Sequence, residues 1–166
     1  MGKKFEQLTI TDAYMLGKVM ENQKIARRLL EKLIHKKIRY TVSHKRNIVR
    51  RHNGMQGIYV EAHLAEQEER ILGIRIYLCE GDVFGLGRNV YRFVNRCEEI
   101  PELLLEEGVL TIFICAAEKE EEEKSEDIRA FLRYLARVDV GKNNFIRMIE
   151  EEIQRVKSNS LFKKEY

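Results

Sequence analysis

The hydrophobic period of this 166-residue chain changes twice, and that confines it to a domain mixing helices with a sheet. Thr9, Thr11 and Asp12 precede Met15, Leu16, Val19 and Met20 at helical spacing, which predicts a short helix capped at Thr11 or Asp12. Asn22 can cap a second helix, with Ile25, Ala26, Leu29, Leu30, Leu33 and Ile34 on one face and Lys24, Arg27, Arg28, Lys32, Lys36 and Lys37 elsewhere around it. Past residue 37 the period drops to two. Ile38, Tyr40 and Val42 alternate with polar residues, then Ile58, Val60, Ala62 and Leu64, then Ile74, Ile76 and Leu78, as strands with one buried face do. Asn53-Gly54, Gly57 and residues 66–70 mark turns, and such short links predict an antiparallel meander. Residues 90–94 read as another strand, and 110–117 as a more fully buried one. The acidic run 118–124 reads as a solvated stretch or the first turn of a following helix. Helical spacing then returns in Ile128, Phe131, Leu132, Leu135 and Val138, and again in Phe145, Ile146, Ile149, Ile153 and Val156. One domain over 1–157 with a frayed tail at 158–166 is the expected organisation.

Composition narrows the setting. With 44% apolar residues a core is available, and the longest apolar run, 109–117, falls far short of the roughly 18 residues that cross a bilayer. No membrane segment is expected. Three cysteines without C-x-x-C spacing indicate neither a disulfide framework nor a thiolate zinc site. Met1-Gly2 is followed by Glu6 where a myristoylation signal has Ser or Thr, and no apolar leader follows. A reduced, cytoplasmic protein is the expectation. Charge is strongly segregated: residues 1–56 hold 14 Lys/Arg against 4 Asp/Glu, whereas residues 98–127 hold 12 Asp/Glu against 2 Lys. Such asymmetry suits a face that binds polyanions, or two complementary surfaces that meet within the chain or between copies.

Few chemistries fit the residues. His35, His44, His52 and His63 lack the spacing of a zinc site, and there is no nucleophile elbow or phosphate-binding loop. Gly85-Leu86-Gly87-Arg88 lacks the third glycine and the helix of a dinucleotide fingerprint, so by itself it is a turn. Metal-dependent phosphodiester cleavage needs carboxylates converging from neighbouring strands. Glu61 can supply the first, but the next strand offers Arg75 and Tyr77, and Glu122-x-Lys124 sits in an all-charged stretch.

The segment 79–97, with Asp82, Phe84-Gly85-x-Gly87-Arg88, Val90-Tyr91-x-Phe93 and Asn95-Arg96-Cys97, resembles the bacterial recombination-promoting nuclease family (Rpn), a branch of the PD-(D/E)XK nucleases. Further likenesses are Glu107-Gly108 before Thr111-Ile112-Phe113-Ile114, Ala130-Phe131-Leu132-x-Tyr134, the terminal Glu165-Tyr166, and Thr11-Asp12-Ala13-Tyr14 to Gly17-Lys18-Val19-Met20 at the front.

The resemblance implies a restriction-endonuclease-like α/β core with a mixed sheet between N-terminal and C-terminal helices. It also implies magnesium-dependent DNA cleavage by an Asp on one core strand and a Glu-x-Gln on the next. Gly57-Ile58-Tyr59-Val60-Glu61 matches the first of these, with Glu61 at the Asp position and one methylene longer. Read without a gap, Arg75 and Tyr77 fall on the Glu-x-Gln. Aligned instead through the Phe-Gly-x-Gly-Arg turn, residues 74–79 match a later strand, and the Glu-x-Gln strand with its crossover helix is absent. The expectation is an internally shortened nuclease with impaired cleavage. Glu61 and Asp12 are its expected metal ligands, Mg2+ its cofactor if active, and Arg27, Arg28, Lys36, Lys37, Arg50 and Arg51 its DNA contacts. The alternative is a non-catalytic DNA-binding or self-association module, a homo-oligomer held by the basic and acidic segments.

Overall fold

The computed structural model describes residues 2–43, 48–52 (backbone), 55–66, 70–105, 108–116 and 125–166. A 3-10 turn at Phe5–Gln7 leads to helix α1 (Ala13–Val19) and helix α2 (Gln23–Ile34). Asn22 caps α2 as expected, its side chain accepting from the Lys24 and Ile25 N–H groups at 3.1 and 3.3 Å. Those donors have no partner within the helix, so the cap stabilises its first turn. Asp12 is the N-cap residue of α1, but its carboxylate accepts instead from Thr9 N–H at 2.7 Å and pairs with Lys3 at 2.8 Å.

Six strands follow: β1 (Ile38–Val42), β2 (Ile48–His52), β3 (Met55–Leu64), β4 (Ile71–Cys79), β5 (Val90–Phe93) and β6 (Val109–Cys115). They form one mixed sheet in the order β1-β3-β4-β6-β5, with β2 also paired to β3. β1 pairs with the C-terminal half of β3 and β2 with its N-terminal half, both antiparallel. The expected meander is therefore present through β4, which is antiparallel to β3. β6 then lies parallel to β4, with β5 antiparallel on the outer edge. Among the described residues the link from β4 to β6 contains β5 and no crossover helix. Gly57, read as a turn residue, lies inside β3. A Cβ there would come within 2.6 Å of the Ile76 carbonyl oxygen and 2.9 Å of the Tyr77 ring, so the approach of β4 requires glycine. The Asn53-Gly54 turn and the acidic run 118–124 fall outside the described residues.

Helices α3 (Glu126–Leu135), α4 (Asn144–Lys157) and α5 (Ser160–Glu165) complete the chain. The strand alternation sends Ile58, Val60, Ala62, Ile74, Ile76, Ile112 and Ile114 to one face, where they pack with Leu29, Leu33, Phe131, Phe145 and Ile149 of the helices. The expected frayed tail is instead a docked helix. Tyr14 Oη donates to the Phe162 carbonyl at 2.9 Å, Lys18 Nζ pairs with Glu165 at 3.0 Å, and Tyr166 packs against Tyr14 at a ring separation of 5.1 Å. Six residues are too few to hold a helix alone, so these tertiary contacts make α5. Among the described residues no helix is long and apolar enough to cross a membrane.

Candidate functional site

Among the described residues, the sheet face turned away from the helices is covered at one end only. There Tyr77, Cys79, Phe113 and Cys115 form a small second core, closed by Val83, Phe84 and Tyr91. Tyr77 and Phe113 stack at 4.6 Å. Cys79 and Cys115 are neighbours across β4 and β6, both buried free thiols. Their mutual hydrogen bond pushes the Cys79 thiol up and holds Cys115 down.

Toward the other end the same alternation puts Tyr59, Glu61 and His63 of β3 on one face with Arg75 of β4, and Tyr59 is directly beside Arg75. Register aligns Tyr59, Arg75, Thr111 and Phe93 across four strands, and Glu61 beside Gly73 in the next outward-facing row. Gly73 leaves the room in which the Tyr59 ring lies, since a Cβ there would meet the Tyr59 hydroxyl at 2.6 Å. Tyr40 stacks on His63 at 4.1 Å with an interplanar angle of 17°. Arg75 is exposed, and its guanidinium makes no hydrogen bond or ion pair among the described residues. It lies diagonally from Glu61, about 7–8 Å away by strand geometry. The result is an open strip of aromatic rings around an arginine and one carboxylate. Sequence reasoning found Glu61 and Arg75 but missed the aromatic strip, whose signal is the outward half of the two-residue period.

Glu61 and Asp12 do not converge. Asp12 lines a cleft of about 360 Å³ with Met55, Leu78 and Glu80, whereas Glu61 is six residues from Met55 along β3, about 20 Å away. Asp12 is also engaged by Lys3 and Thr9. The described residues contain no group of three or more His, Cys, Asp or Glu side chains placed to hold a metal. Magnesium needs near-octahedral oxygen ligands. A single carboxylate with a guanidinium diagonal to it does not fit that requirement.

The six candidate DNA contacts separate. Arg27 and Lys36 are exposed. Lys37 lies 3.5 Å from Glu31. Arg28 is committed to a two-point pair with Asp127, at 2.7 and 3.0 Å, with its guanidinium 5.1 Å from the Phe145 ring centroid. Arg50 and Arg51 lie on β2.

The stretch with the most specific family likeness closes a turn. Asp82 accepts hydrogen bonds from the Phe84 and Gly85 N–H groups at 3.1 Å, from Gly87 N–H at 2.7 Å and from the Tyr91 hydroxyl at 2.7 Å. Gly85 and Gly87 adopt φ of 67° and 79°, a region that disfavours side chains. The Tyr91 hydroxyl and these backbone donors hold the Asp82 carboxyl below the usual range. Its stabilising effect is therefore complete above the unfolded-chain value of 3.8 and is lost as pH falls through that value toward the folded one. Asp82→Ala should melt below the parent at neutral pH, and the gap should close in acid. Thermal melts across that range test this; a gap independent of pH would assign the loss to something other than the carboxylate.

These features define an α/β protein with a mixed sheet, helices on one side and an aromatic strip on the other. No protein-family model, curated protein or solved structure matches the chain.

Proposed function

We propose that this chain is an internally shortened relative of the PD-(D/E)XK nucleases that binds DNA and does not cleave it efficiently. The observation that carries the reading is that Glu61 and Arg75 share one sheet face on neighbouring strands, diagonal to each other, so that the residue nearest to Glu61 with a charge on β4 is a cation where cleavage requires a second carboxylate. In-line displacement at phosphorus needs charge held on both sides of the reacting group, and one carboxylate opposed by a guanidinium cannot clamp a metal there. Arg75 can meet a phosphate, while Tyr40, Tyr59 and Phe93 offer rings on which bases of an opened strand can stack. The exposed Arg27 and Lys36 supply further cations on the N-terminal part.

Two measurements test this together. Plasmid DNA with magnesium or manganese should be nicked no faster by the parent than by Glu61→Ala; metal-dependent nicking that Glu61→Ala abolishes would overturn the proposal. Binding should weaken steeply with salt, by a log-log slope of roughly −0.9 per phosphate contact, and Arg75→Glu should lower affinity for unrelated DNA sequences alike. Absence of DNA binding at low salt would also overturn it.

A further inference from the structure

Beyond β5 the chain doubles back in a short hairpin. Cys97 N–H donates to the Leu103 carbonyl at 2.9 Å, Leu105 N–H to the Asn95 carbonyl at 3.0 Å, and Arg96 bridges Leu104. Its turn leaves Ile100 54% and Leu103 55% exposed, and Leu105 beside them is 64% exposed. Scattered exposed leucines are ordinary; several at one sheet edge form an apolar patch without cover. The same turn carries Glu98, Glu99 and Glu102, all exposed.

Next to the hairpin lies a cleft of about 330 Å³ between the end of α2, the first residues of β4 and β6, and the end of β5. Its walls include Leu33, Leu72 and Leu110, its polar positions include Lys36, Arg70 and Arg92, and among the described residues no carboxylate lines it. Arg92 Nε donates to the Leu33 carbonyl at 2.8 Å, which ties β5 to the end of α2 and keeps that wall in place. Neither Ile100 nor Leu103 fills the cleft of its own chain.

We propose that hairpin and cleft are the two halves of one self-complementary interface between two copies of this chain. Ile100 and Leu103 of each copy enter the cleft of the other, and the glutamates of each hairpin meet Lys36 and Arg92 of the other. A two-fold interface uses the same patch on both partners, so the patch must carry both the knob and the hole side by side. Here it does. The apolar knob has acidic flanks, the apolar hole has basic ones, and this match within one surface selects a second copy over an unrelated partner.

Sedimentation equilibrium tests the assignment. The parent should have the mass of a dimer at roughly 100 µM, and Leu103→Glu and Ile100→Glu should each raise the dimer dissociation constant about tenfold or more with unchanged melting, because both side chains are exposed in the single chain. Lys36→Glu should weaken the dimer. So should the triple variant Glu98→Lys, Glu99→Lys, Glu102→Lys, and a mixture of these two variants should form heterodimers, since each then offers what the other needs. A monomeric parent overturns the proposal, whether the cleft then binds a small anion or nothing. A dimer that persists in both Leu103→Glu and Ile100→Glu, or a mixture that fails to associate, does so as well.

Discussion

Ile112→Lys is expected to abolish the cooperative thermal transition of this protein. Ile112 is fully buried on β6, opposite Ile76 of β4 on one side and Arg92 of β5 on the other, with its side chain in the main core beneath the helices. Placing an ammonium there without a partner costs several kcal/mol, and the lost isoleucine packing adds about 2–5 kcal/mol. Marginal stability of roughly 5–15 kcal/mol leaves little after that loss. Ile112→Val, which removes one methylene, should cost only about 0.5–1.5 kcal/mol and retain a sharp transition. Circular dichroism melts of the two variants make the comparison. A sharp transition in Ile112→Lys near the parent temperature would mean that β6 does not sit between β4 and β5 in the core.

Arg28→Glu is expected to lower stability by about 1.5–3 kcal/mol, whereas Arg27→Glu, one residue away, should change it by less than about 0.5 kcal/mol. Arg28 spans α2 and the first turn of α3 through its two-point pair with Asp127. Reversing its charge sets two carboxylates against each other and removes the guanidinium from the Phe145 ring. The Arg28 side chain is 34% exposed, and water screens part of the effect. For a chain of this size the loss corresponds to roughly 3–12 °C in melting temperature. Equal melting of the two variants would show the pair to be energetically idle. The comparison also bears on DNA binding: a charge-reversal series intended to map phosphate contacts should use Arg27, Lys36 and Lys37, because weak binding by Arg28→Glu would report a destabilised fold.

Local pattern determined a good deal of this protein. Asn22 announces the start of α2 because a capping side chain acts within three residues of itself. The alternation in β3 and β4 assigned Ile58, Val60, Ile74 and Ile76 to the core face, and so Tyr59, Glu61, Arg75 and Tyr77 to the other, because side-chain direction in a strand depends on parity alone. The scarcity of carboxylates on the outward face was legible for the same reason: parity puts Arg75 and Tyr77 there on β4, and neither is an acid. Tertiary structure decided what parity does not carry. β2, Ile48–His52, has two apolar residues followed by three basic ones and no alternation; it is a strand because backbone groups of β3 pair with it. α5 exists because Tyr14 and Lys18, some 147 residues earlier in the chain, hold Phe162 and Glu165. Arg28 and Arg27 look alike in sequence, and only the packing of α2 against α3 and α4 gives one of them Asp127 and leaves the other in water. Periodicity records whether a side chain is buried; which distant residue it is buried against depends on how the elements pack, and that is where Arg28 and the C-terminal helix acquired their roles.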